Sequence, residues 1–466
     1  MPSALFAWPS RDRPGLLARG LTAWGSSLAD AGIPAAFLVC DTSSDGGTAA
    51  RKALAGLGEV EGGLFLAGPE ARLRLREAMA GGSAELGEAL GFALGLGPGN
   101  EGPGAGMYGA NRNLALILAA GRTFGTCDDD VLPEFRLDRS ALDETFETEE
   151  ADPTIITPYS GLAGLEEVSE ALTSFPRDAY GPLLGQDFPG TEAAGPRTAI
   201  LSFSSWGDSG MGSSRYLYTG RNGVCPAVYA DKDLYEGALF GREIFRSPPA
   251  TMVGGLFLMT MHCLVDARNL LPPFMPCGRG EDGLWAASLS LLHPELRMAY
   301  SPLAIHHAPG LRAAGGRATA LRWTFGIGDF LLFLMADSVP RGTKTSYSAL
   351  GGRLESFGGL QPGDVEELVM AINKEAGKAR RRSLENLLNA FDHEPDFWAA
   401  DVEAALESLD RDMAHALPRL PEEFANSAGL GLWLGQFGRL LQVWPELFEA
   451  ARGLGPQILE SCRIGA

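Results

Sequence analysis

Residues 109–130 read Gly-Ala-Asn-Arg-Asn-Leu-Ala-Leu-Ile-Leu-Ala-Ala-Gly-Arg-Thr-Phe-Gly-Thr-Cys-Asp-Asp-Asp. Asn111 to Ala120 has the makings of a helix, and Gly121 stands where a C′ glycine ends one. Thr123 to Cys127 is short and uncharged, as a buried strand is, and it runs straight into Asp128, Asp129 and Asp130. Helix, tight turn and acid-tipped strand make an α/β unit. Ligands of open α/β sheets bind outside the carboxyl ends of the strands, so the stretch predicts a site as well as a fold class.

Upstream, Ser3–Trp8 and Ala35–Cys40 are apolar runs suited to buried strands, and Leu16–Ala31 between them has amphipathic helical spacing. This is a β-α-β opening whose second strand ends in the turn-forming cluster Asp41-Thr-Ser-Ser-Asp45-Gly-Gly. Leu64–Ala67 reads as a third strand, with a helix through Arg72–Met79. Glycines at 95, 97, 99, 102, 104, 106 and 109 lack the Gly-Lys-Ser/Thr ending of a P-loop, so a linker or active-site loop is the better reading.

Downstream, the chain turns polar and irregular beyond Glu134, and strand-like segments resume at Thr198–Phe203, Arg215–Tyr218, Val224–Ala230 and Met298–Ile305. Gly278-Arg-Gly-Glu-Asp-Gly283 leads into a helix bearing Leu284, Ala287, Leu291 and Leu292. From Gly359 onward helical periodicity dominates, over Val365–Glu375, Arg380–Phe391, Trp398–Leu409 and Leu430–Ala450. The expected organisation is an α/β domain over 1–325 with a long insertion at 140–250, then a helical region over 326–466.

At 466 residues, 45% hydrophobic and 21% charged, the chain has ample core material for such an arrangement. A net charge of -20 opposes non-specific attraction to nucleic acid and favours divalent cations wherever acids converge. The six cysteines, Cys40, Cys127, Cys225, Cys263, Cys277 and Cys462, follow no C-x-x-C spacing, which predicts free thiols in a reducing cytoplasm. No signal peptide and no membrane-spanning run is expected.

The acidic triplet suits a hard cation, since Mg²⁺ or Mn²⁺ takes one or two carboxylates and completes its shell with substrate phosphates. Asp128 and Asp130 would point the same way if the strand pleat continued. Taken alone, three acids are as well explained by a turn.

In order along the chain, Trp8-Pro9-Ser10-Arg11, Val39-Cys40-Asp41, Asn111-Arg112-Asn113, Gly121 and Asp128-Asp129-Asp130 resemble the nucleotide-binding half of GT-A-fold glycosyltransferases, especially the family 2-like group. The resemblance covers roughly residues 1–310 and implies a Rossmann-like mixed, mostly parallel sheet flanked by helices. It implies that Pro9 lies beside the nucleotide base and Asp41 contacts base or ribose. It places Arg112 and Asn113 in the donor-binding segment, with Arg11, Arg112 or Arg279 on phosphate. Asp128 would lie near the ribose and share the metal, Asp130 would bind the metal, and Asp129 between them would also contact the donor, as the least necessary of the three. Glu281-Asp282 resembles the family's Glu-Asp motif, and His306-His307 the late histidine that completes the metal site. The first loop, the long segment 152–249 and the shortened acidic signature depart from the common pattern.

The function implied is transfer of a sugar from a nucleoside-diphosphate sugar to an acceptor hydroxyl, with inversion, aided by Mn²⁺ or Mg²⁺. A UDP-sugar is the first donor expected and a GDP-sugar the second; the acceptor is a glycan, a protein or a small molecule. Asp282 is the expected base, Glu281 the second choice. A sugar nucleotidyltransferase and a non-catalytic glycan- or nucleotide-binding scaffold of the same fold are the alternatives. The helical C-terminus could also support a homodimer. Gly207-Asp208-Ser209-Gly210 is read as a turn, not a protease nucleophile. Trp206, Tyr216, Tyr218 and Trp285 are sugar-stacking candidates, with Trp285 favoured for its place one helical turn after Glu281.

Overall fold

The computed structural model describes residues 4–58, 60–96, 107–138, 147–149, 155–189, 197–210, 217, 227–247, 250–253, 260–310, 325–338, 344–391, 396–414, 420–421 and 424–464. Strand β1 (Ala4–Ser10), helix α1 (Pro14–Asp30) and strand β2 (Ala35–Asp41) form the expected β-α-β unit, with β1 and β2 parallel and every residue of both buried. Strand β3 (Leu64–Ala67) extends it at one edge and β4 (Thr123–Cys127) at the other, both parallel. An apolar run without alternation buries both faces of such strands, which is why short uncharged segments fold here.

Beyond β4 the order continues with β7 (His262–Asp266), β6 (Arg197–Asp208) and β8 (Leu296–His307). β7 is antiparallel to both β4 and β6, and β8 is parallel to β6, so β3, β2, β1, β4, β6 and β8 all run one way. The fold is thus mixed α/β with a mostly parallel central sheet. Strand β5 (Val131–Asp138) returns from the acidic triplet and pairs antiparallel with the end of β8. The sequence reading ended regular structure at Glu134; partial exposure on one face makes β5 alternate weakly. Val224–Ala230 is not a strand where described, since Ala227–Ala230 is helical. Residues 215–216, 218 and 224–226, the glycine-rich 97–106 and Cys225 lie outside the described residues.

Helices cover the sheet on both faces. On one side α1 packs with Trp24 against Phe6, Trp8, Phe135 and Tyr180. On the other lie α2 (Pro69–Ala80), α3 (Ala84–Ala93) and α4 (Tyr108–Leu118), followed by α5 (Glu281–Leu292), α6 (Ile327–Ser338), α7 (Tyr347–Gly358), the first half of α8 (Pro362–Ala390) and α10 (Ser427–Ser461), while α9 (Asp396–Ala414) packs with the end of α8 in a separate cluster around Trp398, Tyr229 and Tyr235. Two helices expected over 365–391 are one continuous α8, and α10 runs on through Pro445 and Pro456.

α10 does not found a separate core. Trp433, Leu440, Trp444 and Leu459 join the same buried cluster as Leu5, Leu38 and Phe65 of the parallel strands. The change near residue 325 is one of element type, while apolar packing runs on across it. The chain then returns to the sheet edge, where Leu66 N–H donates to Cys462 O at 2.9 Å and Ile464 N–H to Leu64 O at 2.8 Å. Such pairing covers an edge strand that would otherwise offer unpaired main-chain groups. Among the described residues Cys40, Cys127, Cys263, Cys277 and Cys462 are free and buried. No described helix is long and apolar enough to cross a membrane.

Candidate functional site

A cleft of about 420 Å³ opens at the carboxyl ends of β1 and β4. Its lining includes Pro9, Ser10, Arg11 and Arg13 from the first loop, Tyr108, Asn111 and Arg112 from the start of α4, and Asp128 and Asp130. Glu281 and Asp282 from the start of α5, together with Ser209, Gly210 and His307, complete it.

The loop after β1 is fixed by its own chemistry. Asp12 sits at φ 52, a left-handed conformation that aspartate tolerates better than most residues. Its N–H donates to Ser43 Oγ at 2.7 Å and its carboxylate accepts from Ser44 N–H at 2.8 Å, tying this loop to the one after β2. The turn sends Arg13 inward, where its guanidinium spans Asp129 and Asp130 at 2.7 Å each. Sequence reading passed over Arg13. An Arg-Pro pair at a helix start was its only signal, and Pro14 does open α1.

The pleat stops at Cys127, and the triplet forms a turn closed by Val131 N–H donating to Asp128 O at 3.2 Å. Asp128 and Asp130 nevertheless both face the cleft. Asp129 turns beneath it, fully buried, accepting from Ser10 Oγ at 3.3 Å. It braces the loop and lines no part of the cleft, unlike the donor contact expected of it.

Arg112 is buried and forms the floor. Its guanidinium donates to Asp128 Oδ1 at 3.0 Å and to Thr260 O at 3.3 Å, and stands 3.7 Å from Asp282. Burial pushes Asp128 up to about 6 against the pull of Arg112. Asn113 is a correction to the expected donor-binding set. Two residues apart on a helix point in different directions, and Asn113 faces inward, donating to Ala93 O at 3.0 Å and Phe274 O at 2.9 Å while accepting from Phe274 N–H at 2.7 Å. Asn111 reaches the cleft instead, donating to Ser10 O at 3.0 Å and to Thr42 Oγ1 at 3.1 Å. The helix bearing both can approach so closely because residue 109 is glycine: a Cβ there would lie 1.7 Å from Met275 O.

Asp41 is a second correction. It ends β2 but is wholly buried, accepts from Ser43 Oγ at 2.6 Å, and does not line the cleft. Burial raises its carboxyl above the ordinary value. The loop that follows folds over it, and a Cβ on Gly47 would lie 3.3 Å from its Oδ2.

The two histidines part company because adjacent strand residues point to opposite faces. His306 stacks on Trp206 with ring centroids 3.8 Å apart and meets Glu134 at 2.9 Å, outside the cleft. His307 is the one beside the acids, with Nε2 3.4 Å from Asp130 Oδ1. Its Nδ1 donates to Asp208 O at 2.7 Å. Burial works against a charge on His307, yet Asp130 more than offsets it and raises the imidazole above its usual value. Burial likewise opposes ionisation of Asp130, but His307 and Arg13 hold it well below the carboxylate range. The turn at 207–210 therefore borders the site, a role that its polar composition alone could not reveal.

These donors suit a hard cation. Two ligands of one octahedral ion at about 2.1 Å stand about 3 Å apart, close to the Asp130–His307 spacing. A metal-binding histidine ordinarily donates its other ring N–H to a carbonyl or carboxylate, as His307 does to Asp208. Among the described residues no three acidic, histidine or cysteine groups gather as a complete cage, so a bound ion would need ligands from substrate or water.

Gly280, at φ 87, caps α5 from the left-handed region, where a Cβ would meet Gly328 Cα at 3.3 Å. The turn delivers Glu281 and Asp282 to the opposite wall. Asp282 accepts from Thr260 N–H at 3.1 Å and from Thr260 Oγ1. Glu281 is buried and bonded by no donor of another described residue. Arg279 lies over the Tyr108 ring at 4.4 Å, joining the two walls at the rim. Trp285 is core, stacked on Phe274 at 4.2 Å and donating to Pro272 O at 2.7 Å, so it offers no sugar platform. No family model and no curated protein matches this chain.

Proposed function

We propose that this chain is a cytoplasmic, metal-dependent glycosyltransferase of GT-A type, moving a sugar from a nucleoside-diphosphate sugar to an acceptor hydroxyl with inversion. The observation that carries the reading is the Asp130–His307 pair, with Nδ1 of His307 committed to Asp208, in a cleft that also holds Arg11, Arg13, Arg112 and Arg279. Asp130 and His307 would hold Mn²⁺ or Mg²⁺, with Asp128 beside them. When bound, the cation supplies Lewis-acid stabilisation of the departing diphosphate.

The chain's own residues do the rest. Asp208 fixes the His307 tautomer, so that Nε2 presents its lone pair to the cleft in the neutral ring. Arg112 aims Asp128, and Arg11 and Arg279 at the rim offer charge-assisted hydrogen bonds to phosphate oxygens. The acid wall of Glu281 and Asp282 faces the acceptor side and takes the hydroxyl proton. A UDP-sugar is the first donor to try and a GDP-sugar the second.

Calorimetric titration with UDP-, GDP- and CMP-linked sugars, with and without Mn²⁺, tests the reading. Metal-dependent binding of one of them, lost in Asp130→Ala, is the expected result. Absence of metal-dependent binding to all three overturns it.

A further inference from the structure

Glu281 and Asp282 are neighbours on the same helix turn, but their surroundings differ. Both oxygens of Asp282 are engaged, Oδ2 by Thr260 N–H at 3.1 Å and Oδ1 by Thr260 Oγ1, and Arg112 Nε stands 3.7 Å from Oδ1. A carboxylate whose two oxygens accept from a main-chain amide and a hydroxyl, with a buried guanidinium beside it, is fixed in place by those partners. Glu281 lines the same cleft, is 6% exposed, and no donor of another described residue bonds its carboxylate.

We infer that Glu281 is the proton acceptor of this cleft and that Asp282 is a positioning residue, which ties Thr260 to Arg112 and adds negative charge beside Glu281. The inference rests on the transfer reading above. In the step, the acceptor oxygen forms a bond to the anomeric carbon as the bond from that carbon to the diphosphate oxygen breaks. The bonding electron pair leaves with the nucleoside diphosphate, and the hydroxyl proton passes to the Glu281 carboxylate and then to water. The groups acting on Glu281 are its burial, then Asp282, which disfavour its charge, and Arg112 and Arg279, which favour it. The balance pushes its carboxyl up to about 7, near the working range of a general base. Protonated below that value, Glu281 must ionise before it can accept, so turnover rises with pH through the neutral range.

Two measurements on the full chain decide this. A water-soluble carbodiimide with glycinamide as trapping amine modifies protonated carboxyls, and peptide mass spectrometry reads each site. Glu281 is expected to be modified up to about pH 7; a Glu281 that goes unmodified above pH 5 overturns the inference. Release of UDP from UDP-glucose, or GDP from GDP-mannose, with Mn²⁺ is then followed against pH. Glu281→Gln is expected to lose about 10²–10⁴-fold in turnover while keeping UDP–Mn²⁺ binding. Asp282→Asn is expected to lose at least tenfold less turnover than Glu281→Gln, with its rising limb moved to lower pH because Glu281 loses a neighbouring negative charge. The reverse pattern, with Asp282→Asn inactive and Glu281→Gln active, overturns the inference alone. Absence of metal-dependent nucleotide binding in the unmutated chain overturns the transfer reading, and the inference with it.

Discussion

His262 and His307 lie on strands of one sheet, both buried, and they are driven in opposite directions. His262 is wholly enclosed by Trp24, Phe203 and Tyr180, with ring centroids 4.9, 4.8 and 5.7 Å away, and its Nε2 meets Tyr180 Oη at 2.7 Å. Burial lowers it to about 3, so the ring is neutral throughout the physiological range. His307 is nearly as buried, but a carboxylate faces it and its charged form is favoured. Burial alone therefore says nothing about function. What separates a structural histidine from one poised for chemistry is whether its neighbours are aromatic rings or ionised groups.

The comparison is broken most sharply by substituting each in turn. His307→Ala is expected to weaken Mn²⁺-dependent nucleotide binding by at least the roughly 100-fold that loss of an outer-shell partner can cost, with a small change in Tm. His262→Ala should leave that binding intact and cost about 2–4 kcal/mol of stability, since it opens a cavity among large rings and strands the Tyr180 hydroxyl. Calorimetry and chemical denaturation on both variants give the four numbers. Equal loss of nucleotide binding in both would dissolve the distinction.

Stability against pH sharpens it. His262 is depressed, so between pH 6.5 and about 3 the unfolded chain binds a proton that the native chain refuses. Its contribution is whole above 6.5 and falls by about 1.4 kcal/mol per unit as pH drops through that window. Glu281 is raised from 4.5 to about 7, so its contribution is whole below 4.5 and is lost as pH rises towards 7. Denaturant midpoints should then show Glu281→Gln gaining up to roughly 3 kcal/mol on the parent at pH 8 and nothing at pH 4. A His262→Phe/Tyr180→Phe double variant should flatten the acid side. Identical pH profiles for parent and Glu281→Gln would remove the basis for a strained acid in the cleft.

Two smaller effects test the residues that the fold moved away from the cleft. Asn113→Ala should cost about 1–3 kcal/mol, because it strips the Phe274 amide and two carbonyls of their partner, and leave nucleotide affinity unchanged. His306→Ala removes a partly exposed pair with Glu134, worth no more than about 1 kcal/mol, and should not alter metal dependence. A tenfold fall in affinity from either one, by the same titration, would return it to the site.

The central parallel strands were readable because both their faces are buried and their interiors carry no charge: β4 is found at the residues expected, Thr123 to Cys127. The same holds for the amphipathic spacing of α1 and for the acids at the strand end. What escaped notice depends on contacts between distant segments. Nothing local distinguishes Asn111 from Asn113, and only the direction of α4 does. His306 and His307 are likewise equivalent until the face of β8 is known. Arg13 became visible only when the first loop was folded against residues more than a hundred positions away. β5 was missed because a strand with one half-wet face reads as irregular.

Arg112 carries a consequence for how the two walls of the cleft can vary. It is a buried cation shared between Asp128 and Asp282, one from each wall. Removing either acid leaves it the other together with Glu281, whereas removing both leaves Glu281 alone to offset it in a low-dielectric floor. Losses at the two acids will therefore not add, and a double-mutant cycle across them should show strong coupling. The two walls of the cleft are in this sense one electrostatic unit, and a lineage that gave up both acids would come under pressure to give up the arginine as well.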